Sequence, residues 1–279
     1  ENICPKPKVI RGWQIYFDTV LITVSSAMGT DDTAKATAPR PYADDTDNAR
    51  ATDCLVGAFK DDPMFQHLLN GYTYERALRR LFSWTLWAMA GSAKDRYNRA
   101  PPMEVIEDPT TQQVLCFAGW GAAVRAGKTV SGELRMLLVL VVMAVLEGPF
   151  LLTRLLEIAY ILERKRKALA PTAHHLRYIC TAPASQGKGL GARLLRVGVD
   201  RAARAGVPCY LESSNPRNVP FYKRHGFRVL KAWYPLAQPR FGIQGPLITL
   251  MVRDVVAAEK KTAAMTAHQQ DTKKKTKGE

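Results

Sequence analysis

Residues 182–206 read APASQGKGLGARLLRVGVDRAARAG, and the two halves of this stretch differ in composition. Apolar side chains recur at a helical period over residues 190–204, with arginines between them, which predicts an amphipathic helix. Gly187, Gly189 and Gly191 stand at its start, although glycine is costly to order there. They are explained if a phosphate approaches the helix N-terminus, where unpaired N–H groups and the positive end of the helix dipole favour an anion.

Three glycine-rich sequence motifs bind phosphates in this way, and the spacing of their glycines distinguishes them. A P-loop needs GxxxxGK followed by Ser or Thr, but here Lys188 is followed by glycine and the first glycine is replaced by alanine. A dinucleotide fingerprint would place its third glycine at Ala192 and its acidic partner at Glu212, and both fit loosely. The pattern Q-x-x-G-x-G fits residues 186–191 at each position.

The composition predicts a folded protein that attracts anions. Lys and Arg number 40 against 25 Asp and Glu, a net charge of +15, and the hydrophobic content of 47% suffices for a substantial core. Charge alone does not distinguish a nucleic acid, an acidic membrane and a small phosphorylated ligand. The five scattered cysteines lack CxxC or Cys/His spacing, which predicts a reduced compartment, cytoplasmic or nuclear, and no metal site.

Both ends of the chain are predicted to lie outside the folded domain. Within residues 1–48, the run 28–48 is rich in Asp, Thr, Ala and Pro, which predicts disorder. The apolar run 9–29 is interrupted by Asp18 and no clear cleavage site follows, so we expect neither a signal peptide nor an anchor. Residues 254–279 end in a lysine run, which predicts a solvated basic tail, with nucleic-acid or membrane binding as open alternatives.

Between these ends, over residues 49–253, strands alternate with helices. Residues 52–59 read as a first strand or a strand-to-helix junction, and 133–167 as a helical segment broken at Gly148-Pro149. The uncharged run 136–146 is too short to cross a bilayer and predicts a buried helix. The other predicted elements are helices in DDPMFQHLLNG, YERALRRLFSWTLWAMAG and RNVPFYKRHG, a hairpin of MEVIED and QVLCFAGWGAAV, and strands in HLRYICTAP, PCYLES, FRVLKAWY and PLITLMVRD. This pattern predicts an α/β domain with a locally parallel sheet.

The hexapeptide at residues 186–191 resembles the acetyl-CoA signature of the GNAT acetyltransferases. The segment GVPCYLESSNPRNVPFYKRHGFRVL is similar to the second half of the GNAT domain, and together with HLRYICTAP it resembles the branch that contains puromycin N-acetyltransferase. The likeness is strong over residues 174–231 and weaker over 50–125. It implies the GNAT fold: a mixed, mostly antiparallel sheet with a pair of parallel strands splayed near Cys180, helices on both faces, and CoA in the opening.

The resemblance also implies which residues hold acetyl-CoA, the cosubstrate. Backbone N–H groups of the glycine loop would bind the pyrophosphate, and Gln186 would brace that loop. The pantetheine arm would run along the strand that contains Cys180, whose N–H is a candidate oxyanion donor, and would receive a hydrogen bond from Asn215. The implied donor-site residues are Ile179, Cys180, Thr181, Gln186, Gly187, Lys188, Gly189, Leu190, Gly191, Ala192 and Asn215.

The resemblance places Tyr222 at the position of the family's general acid. The pKa of a phenol lies somewhat above that of a thiol, so its hydroxyl is suited to protonate the departing CoA thiolate. The first candidate for the general base is Glu212, on a strand facing the donor site, with His174 and His175 as alternatives.

The implied reaction is direct attack of an amine on the thioester in a ternary complex. A covalent relay through Cys180 or Cys209 is not expected, because neither cysteine has an identifiable partner base in the sequence. The branch resemblance favours a small amine as acceptor, with residues 133–170 as a helical insertion that lines its pocket. A protein lysine or N-terminus as acceptor, and an inactive CoA-binding protein, stay open as alternatives.

Overall fold

The computed structural model describes residues 37–69, 74–97, 103–121, 130–236 and 245–255. Within these residues, seven strands form one sheet, and helices cover both of its faces. The strands are β1 (Arg40–Pro41), β2 (Met103–Glu107), β3 (Val114–Trp120), β4 (His174–Thr181), β5 (Cys209–Ser213), β6 (Arg228–Trp233) and β7 (Ile248–Arg253). The helices are α1 (Asp44–Phe59), α2 (Pro63–Leu68), α3 (Tyr74–Tyr97), α4 (Val130–Glu147), α5 (Pro149–Leu169), α6 (Leu190–Arg204) and α7 (Val219–Arg224).

The sheet is mostly antiparallel, with the strand order β1-β2-β3-β4-β5-β7-β6. The neighbours β4 and β5 are parallel, and their pairing is confined to His174–Cys209 and His175–Tyr210. Beyond these two pairs β4 continues beside β3, whereas β5 continues beside β7. The predicted mixed sheet with a splayed parallel pair is therefore confirmed, and the splay begins directly after His175, before Cys180 is reached.

A β-bulge in β4 changes the direction in which its side chains point. Gly119 of β3 pairs with Tyr178, but the next residue, Trp120, pairs with Leu176. Arg177 is therefore the extra residue of the bulge. An extra residue reverses the alternation of side chains along a strand. Accordingly, Leu176 packs on the α6 side of the sheet and Tyr178, two residues later, packs on the α1 side.

The face covered by α1 and α3 is filled by an aromatic cluster. Neighbouring ring centroids in this cluster lie 5.1 to 6.4 Å apart, mostly in edge-to-face geometry, which favours aromatic pairs beyond simple burial. Its members are Phe59, Phe65, Phe82 and Tyr178.

The opposite face is covered by α6, whose apolar side points inward as predicted. Leu190, Leu194 and Leu195 are buried there, and burial of each such side chain contributes about 1.5–3 kcal/mol. Gly198 allows the helix to come close to the sheet, because a Cβ at this position would lie 2.0 Å from Cε2 of Trp120. The indole ring therefore sets the distance between α6 and β3.

The beginning of the folded domain differs from the prediction. Residues 52–59 belong to α1 and form no strand; this helix begins at Asp44, and aspartates in its first turn favour the positive end of the helix dipole. The prediction of disorder is wrong for residues 37–48, which form β1 and the start of α1. There the buried Asp47 carboxylate accepts hydrogen bonds from Arg40 at 2.7 and 2.9 Å. Arg40 also pairs with Glu107 at the end of β2, and a contact so distant in sequence cannot be recognised from composition.

The expectation of a buried helix over residues 136–146 holds for only one side of α4. Val139, Leu140 and Met143 are buried against the rest of the domain, whereas the other side of the helix, including Leu138 and Val141, is exposed. Over the described part of the chain, no helix combines the length and the apolar character needed to cross a membrane.

Most of both predicted tails lies outside the described residues. This applies to residues 1–36, with the apolar run near the N-terminus, and to residues 256–279, with the lysine run. The proposed roles of these segments and the limits 49–253 of the domain stay predictions, apart from the earlier start given above.

Candidate active site

The glycine loop before α6 has a backbone that only glycine adopts readily. Gly187 and Gly189 have φ angles of 80° and 73°, in the left-handed region. Gly189 is the cap residue of α6 and offers no side chain to the N–H groups of the first turn. A Cβ built on Gly189 meets no protein atom within 4 Å, so the space in front of these N–H groups is open to a ligand. This arrangement suits a phosphate.

Gln186 connects the glycine loop to the end of β4. Its side-chain Nε2 donates a hydrogen bond of 3.2 Å to the carbonyl oxygen of Thr181. This hydrogen bond ties the glycine loop to the end of β4, although residues 182–189 between β4 and α6 form no regular strand or α-helix. Gln186 thus braces the loop.

The register of β4 determines which of its N–H groups face the splay. Ala182 N–H donates to the carbonyl oxygen of Leu115 at 2.8 Å, and N–H directions alternate along an antiparallel strand. The N–H of Cys180, paired with Phe117, therefore points towards β3. This direction does not favour the Cys180 N–H as the oxyanion donor, and its role stays a prediction. The N–H groups of the residues on either side of Cys180 point away from β3, towards the gap left by β5.

The cysteines near the site are buried. The thiol of Cys180 lies 3.5 Å from the thiol of Cys54, and burial raises the pKa of Cys180 well above its ordinary value. Cys209 is also buried and forms no disulfide within the described residues. A raised pKa disfavours the thiolate that a covalent relay would need.

Tyr222 lies on α7 with its side chain fully buried. Its ring packs against Phe221 and Phe227, with centroids 5.2 and 5.9 Å away. Among the described residues no group accepts or donates a hydrogen bond at its hydroxyl, and burial raises the pKa of Tyr222 well above its usual value. A buried hydroxyl without a hydrogen-bond partner lowers the stability of the fold by about 1–3 kcal/mol. A ligand that forms a hydrogen bond with the hydroxyl would remove this cost.

Asn215 forms the turn between β5 and α7. Its Oδ1 accepts a hydrogen bond of 3.0 Å from the N–H of Arg217, and its backbone carbonyl accepts one of 3.0 Å from Ser213 Oγ. The structure thus places Asn215 as a turn former, between the strand and helix that carry Glu212 and Tyr222.

Glu212 and His175 form a buried pair across the beginning of the splay. His175 Nε2 lies 2.6 Å from Glu212 Oε2, and both side chains are almost completely excluded from solvent. The second carboxylate oxygen of Glu212, Oε1, is buried and forms no hydrogen bond of normal geometry with the described residues, although the Tyr210 hydroxyl is close enough to interact with the carboxylate. A buried carboxylate with one oxygen held and one oxygen unpaired is arranged to receive a cation or a proton.

Tyr210 belongs to the same polar cluster, although the sequence reasoning did not include it. It lies two residues before Glu212 on β5, and therefore on the same face of the sheet. Burial, followed by the neighbouring Glu212 carboxylate, raises the pKa of Tyr210. Helix α5 adds the buried ion pair of Glu163 and Arg166, with N–O distances of 2.7 and 2.8 Å, close enough to influence Tyr210. The alternation of side chains along a strand could have identified Tyr210 from the sequence, because residues two positions apart lie on the same face.

The two histidines at the start of β4 have different surroundings. His175 contacts Glu212, whereas the His174 ring stacks on Trp120 with centroids 4.8 Å apart. Burial lowers the pKa of His174 to about 4, with a smaller contribution from His175. His174 is therefore a neutral packing residue, and His175 is the histidine that the structure brings to the Glu212 cluster.

The comparisons with known proteins agree with this geometry. Residues 155–229, which include β4, the glycine loop, α6, β5 and α7, match the sequence model of the acetyltransferase (GNAT) domain. This segment is therefore similar to a GNAT acetyltransferase domain. Within the described residues of the chain, no cluster of three His, Cys, Asp or Glu side chains is placed to hold a metal ion.

Solved structures share the fold of the GNAT domain. A histone acetyltransferase HPA2 and related acetyltransferase from Corynebacterium glutamicum is 20% identical, covers 78% of this chain and 96% of its own, and superposes with a TM-score of 0.50. A mosquito arylalkylamine N-acetyltransferase is 14% identical over 78% of this chain and 99% of its own, with a TM-score of 0.52. The Drosophila melanogaster polyamine N-acetyltransferase is 12% identical over 78% and 99% of the two chains, with a TM-score of 0.51. At these identities the likeness shows the fold.

We predict that Gly189→Val weakens acetyl-CoA binding by about tenfold or more, because the added side chain occupies the space in front of the α6 N-terminus. Isothermal titration calorimetry with CoA measures the effect. Gly206→Val is a matched control: Gly206 lies just beyond the other end of α6, also has a positive φ, of 66°, and also has open space around its Cβ position. Both variants carry a similar backbone strain, so equal CoA affinity in the two would contradict the placement of the phosphate.

His174 gives the protein a predictable acid sensitivity. Its folded pKa of about 4 lies below the ordinary value of 6.5, so at intermediate pH the unfolded chain binds a proton that the folded protein does not. Stability is therefore lost as the pH falls from 6.5 towards 4, by up to about 3 kcal/mol. His174→Phe keeps a ring on Trp120 and removes the titration, so its urea-unfolding free energy should decline less over this range. Parallel pH curves for the two proteins would contradict the prediction.

Proposed function

We propose that this protein transfers the acetyl group of acetyl-CoA to the amino group of a small molecule, by direct attack within a ternary complex. The observation that carries the proposal is the position of two buried, unpartnered oxygens on opposite faces of the splayed sheet. The Tyr222 hydroxyl lies on the α6 face and Glu212 Oε1 on the α1 face. An acetyl transfer needs an acid on the thiol side and a base on the amine side, and the splay separates the two.

The donor is acetyl-CoA, the acetyl donor of GNAT enzymes. Its pyrophosphate lies against the N–H groups of residues 187–192, in the open space before the first turn of α6. Its pantetheine arm follows β4 where β5 has separated from it, and the N–H groups of Ile179 and Thr181 are available to the arm and the thioester carbonyl. Asn215 borders the same opening and contacts the arm in addition to forming its turn.

The acceptor amine lies on the opposite face, beside Glu212. Oε1 accepts a proton from the substrate ammonium, while His175 holds Oε2 and fixes the orientation of the carboxylate. The neutral amine attacks the thioester carbon, so that the N–C bond forms and the C–S bond breaks. The electron pair of that bond leaves on sulfur, and Tyr222 supplies the proton that converts the thiolate into free CoA. The nitrogen loses its second proton as the amide forms, and that proton restores the Tyr222 hydroxyl through solvent, while the proton on Glu212 is released to solvent.

A small amine is favoured because the base is enclosed. Glu212 and Tyr210 are fully buried, and α5 places a further buried carboxylate, Glu163, in their vicinity. Glu163 is neutralised by its pair with Arg166, so the enclosed carboxylate that attracts a compact cation is that of Glu212. The polyamine and arylalkylamine N-acetyltransferases with the same fold are named for small amines, which is consistent with this choice. In this proposal α4 and α5, within residues 133–170, line the acceptor pocket, and the puromycin N-acetyltransferase branch supplies the first candidate amines.

Transfer to a protein lysine or N-terminus, and CoA binding without transfer, are the competing functions. Isotopically labelled acetyl-CoA incubated with a panel of small amines and lysine peptides, followed by mass spectrometry, distinguishes them. Label in small amines supports the proposal, and label confined to peptides favours a protein acetyltransferase. Saturable CoA binding without release of free thiol for any acceptor would identify a binding protein.

Tyr222→Phe tests the acid. We expect kcat to fall by about 10²–10⁴, because only the proton donor is lost, while the dissociation constant of CoA changes little. Tyr178→Phe is the matched control, since it removes the hydroxyl of another fully buried tyrosine, which packs in the aromatic cluster under α1 and α3. Full turnover and an unchanged pH–rate profile in Tyr222→Phe would remove this residue from catalysis.

Glu212→Gln tests the base. Without the carboxylate only amine that is already neutral reacts, so kcat/KM should fall by about 100-fold near pH 7 and then rise about tenfold per pH unit up to the pKa of the acceptor. The parent enzyme should show a flatter profile over this range. CoA affinity, measured in parallel, controls for misfolding. If the variant and the parent have the same profile, the base lies elsewhere.

A further inference from the structure

The outward face of α4 is apolar and has no partner within the described residues of the chain. Every side chain of α4 that is exposed in the structure is Leu or Val, and Phe150 at the beginning of α5 extends the surface with 78% of its area exposed. We call this surface the α4 seam. Its members are Leu134, Leu137, Leu138, Val141, Val145, Leu146 and Phe150.

The α4 seam is not produced by poor packing of the helix. The opposite side of α4 is anchored: Val139 and Met143 are almost fully buried, and Glu147 accepts an ion-pair contact of 2.6 Å from Arg80 of α3. Arg135 is also engaged, with its guanidinium 4.7 Å from the ring centroid of Trp87. The helix is therefore held on α3 in one rotational setting, and that setting turns the seam outward.

The area of the seam is too large for an ordinary exposed surface. Monomeric soluble proteins rarely expose contiguous apolar patches of more than a few hundred Å². Seven large side chains, each between 45% and 78% exposed, offer several hundred Å². This approaches the ~800 Å² that each partner contributes to an interface of standard size.

The spacing of the seam is that of a coiled-coil interface. Leu134, Leu138, Val141 and Val145 follow one another at intervals of four, three and four residues, the repeat of alternating a and d positions. This series reads the same in both directions along the helix. An antiparallel copy of α4 therefore presents the same spacing back to it, as a two-fold symmetric interface requires.

We propose that the α4 seam is the interface of a homodimer, in which two copies of α4 pack antiparallel about a two-fold axis near the middle of the helix. Leu134 then faces the partner's Val145, and Leu138 faces the partner's Val141. Among the α4 side chains that the structure describes, the exposed ones carry no charge, so two copies meet at these positions without like charges in contact. The antiparallel arrangement also aligns the helix dipoles favourably.

Other occupants fit the seam less well. Helices that lie on a membrane surface carry Lys and Arg on the side opposite their apolar face, whereas the corresponding side of α4 is buried in the protein. The four other large exposed hydrophobic side chains of the described residues lie outside α4 and form no helical repeat. These residues are Tyr160, Leu169, Val229 and Tyr234. Within this part of the chain, the surface whose spacing matches that of the α4 seam is therefore the α4 seam of a second copy.

The oligomeric state of the full chain tests the proposal. We expect a dimer by analytical ultracentrifugation at micromolar concentration, and a monomer after the double substitution Leu138→Gln and Val141→Gln, with a dissociation constant raised by about 100-fold or more. The matched control is Leu169→Gln with Val229→Gln, which changes the same residue types at sites of similar exposure outside the seam. Because all four positions are exposed, both variants should fold, as circular dichroism will verify.

Three results would overturn the proposal. A parent protein that is monomeric at these concentrations, or a seam variant that still dimerises like the control, would exclude the seam as a dimer interface. So would a monomeric parent that binds liposomes of phosphatidylcholine through the seam, which would identify a lipid surface as the occupant. The orientation is tested with Leu134→Cys and Val145→Cys proteins: a mixture of the two should form an intermolecular disulfide, whereas a parallel dimer would link each variant to itself.

Discussion

The structure depends on how little of β4 and β5 is paired. Two residue pairs hold these parallel strands together, and each strand then follows its antiparallel neighbour on the other side. A longer ladder would close the sheet and satisfy the backbone groups of both edges. Because the ladder stops, β4 keeps an edge with free N–H groups in the middle of the domain, and β5 carries Glu212 past the last pair into the opening.

The bulge at Arg177 and the splay act together on the two faces of the sheet. The bulge directs the second half of β4 so that Tyr178 and Cys180 join the aromatic side and Ile179 joins the α6 side. The glycine loop and Tyr222 are on the α6 side, and the Glu212–His175 pair is on the other. In the proposed function, the two substrates enter from opposite faces and meet at the opening without competing for the same groups, as a ternary-complex reaction requires.

Sequence reasoning recovered the elements from β2 to β7 because their signals are local: turn residues, helical periodicity, and the glycine spacing before α6. It failed at α1 and β1, where the order comes from contacts distant in sequence, such as the pairing of β1 with β2 and the Arg40–Glu107 ion pair. The direction of the Cys180 N–H could not be predicted from the sequence either, because it depends on the register between β3 and β4 and on an inserted residue in β4. Likewise, the apolar run in α4 specifies a helix but not which of its sides the rest of the domain will cover.

The contact between Gly198 and Trp120 has a consequence for the choice of acyl donor. With no side chain between helix and indole, α6 cannot be lowered further, and the Gln186 brace stops its leading end from drifting away from the strand. In the proposed function, this contact fixes the distance between the CoA pyrophosphate and the thioester. A propionyl or butyryl group would then extend towards the proposed amine site, so a longer acyl chain would leave room only for a smaller acceptor.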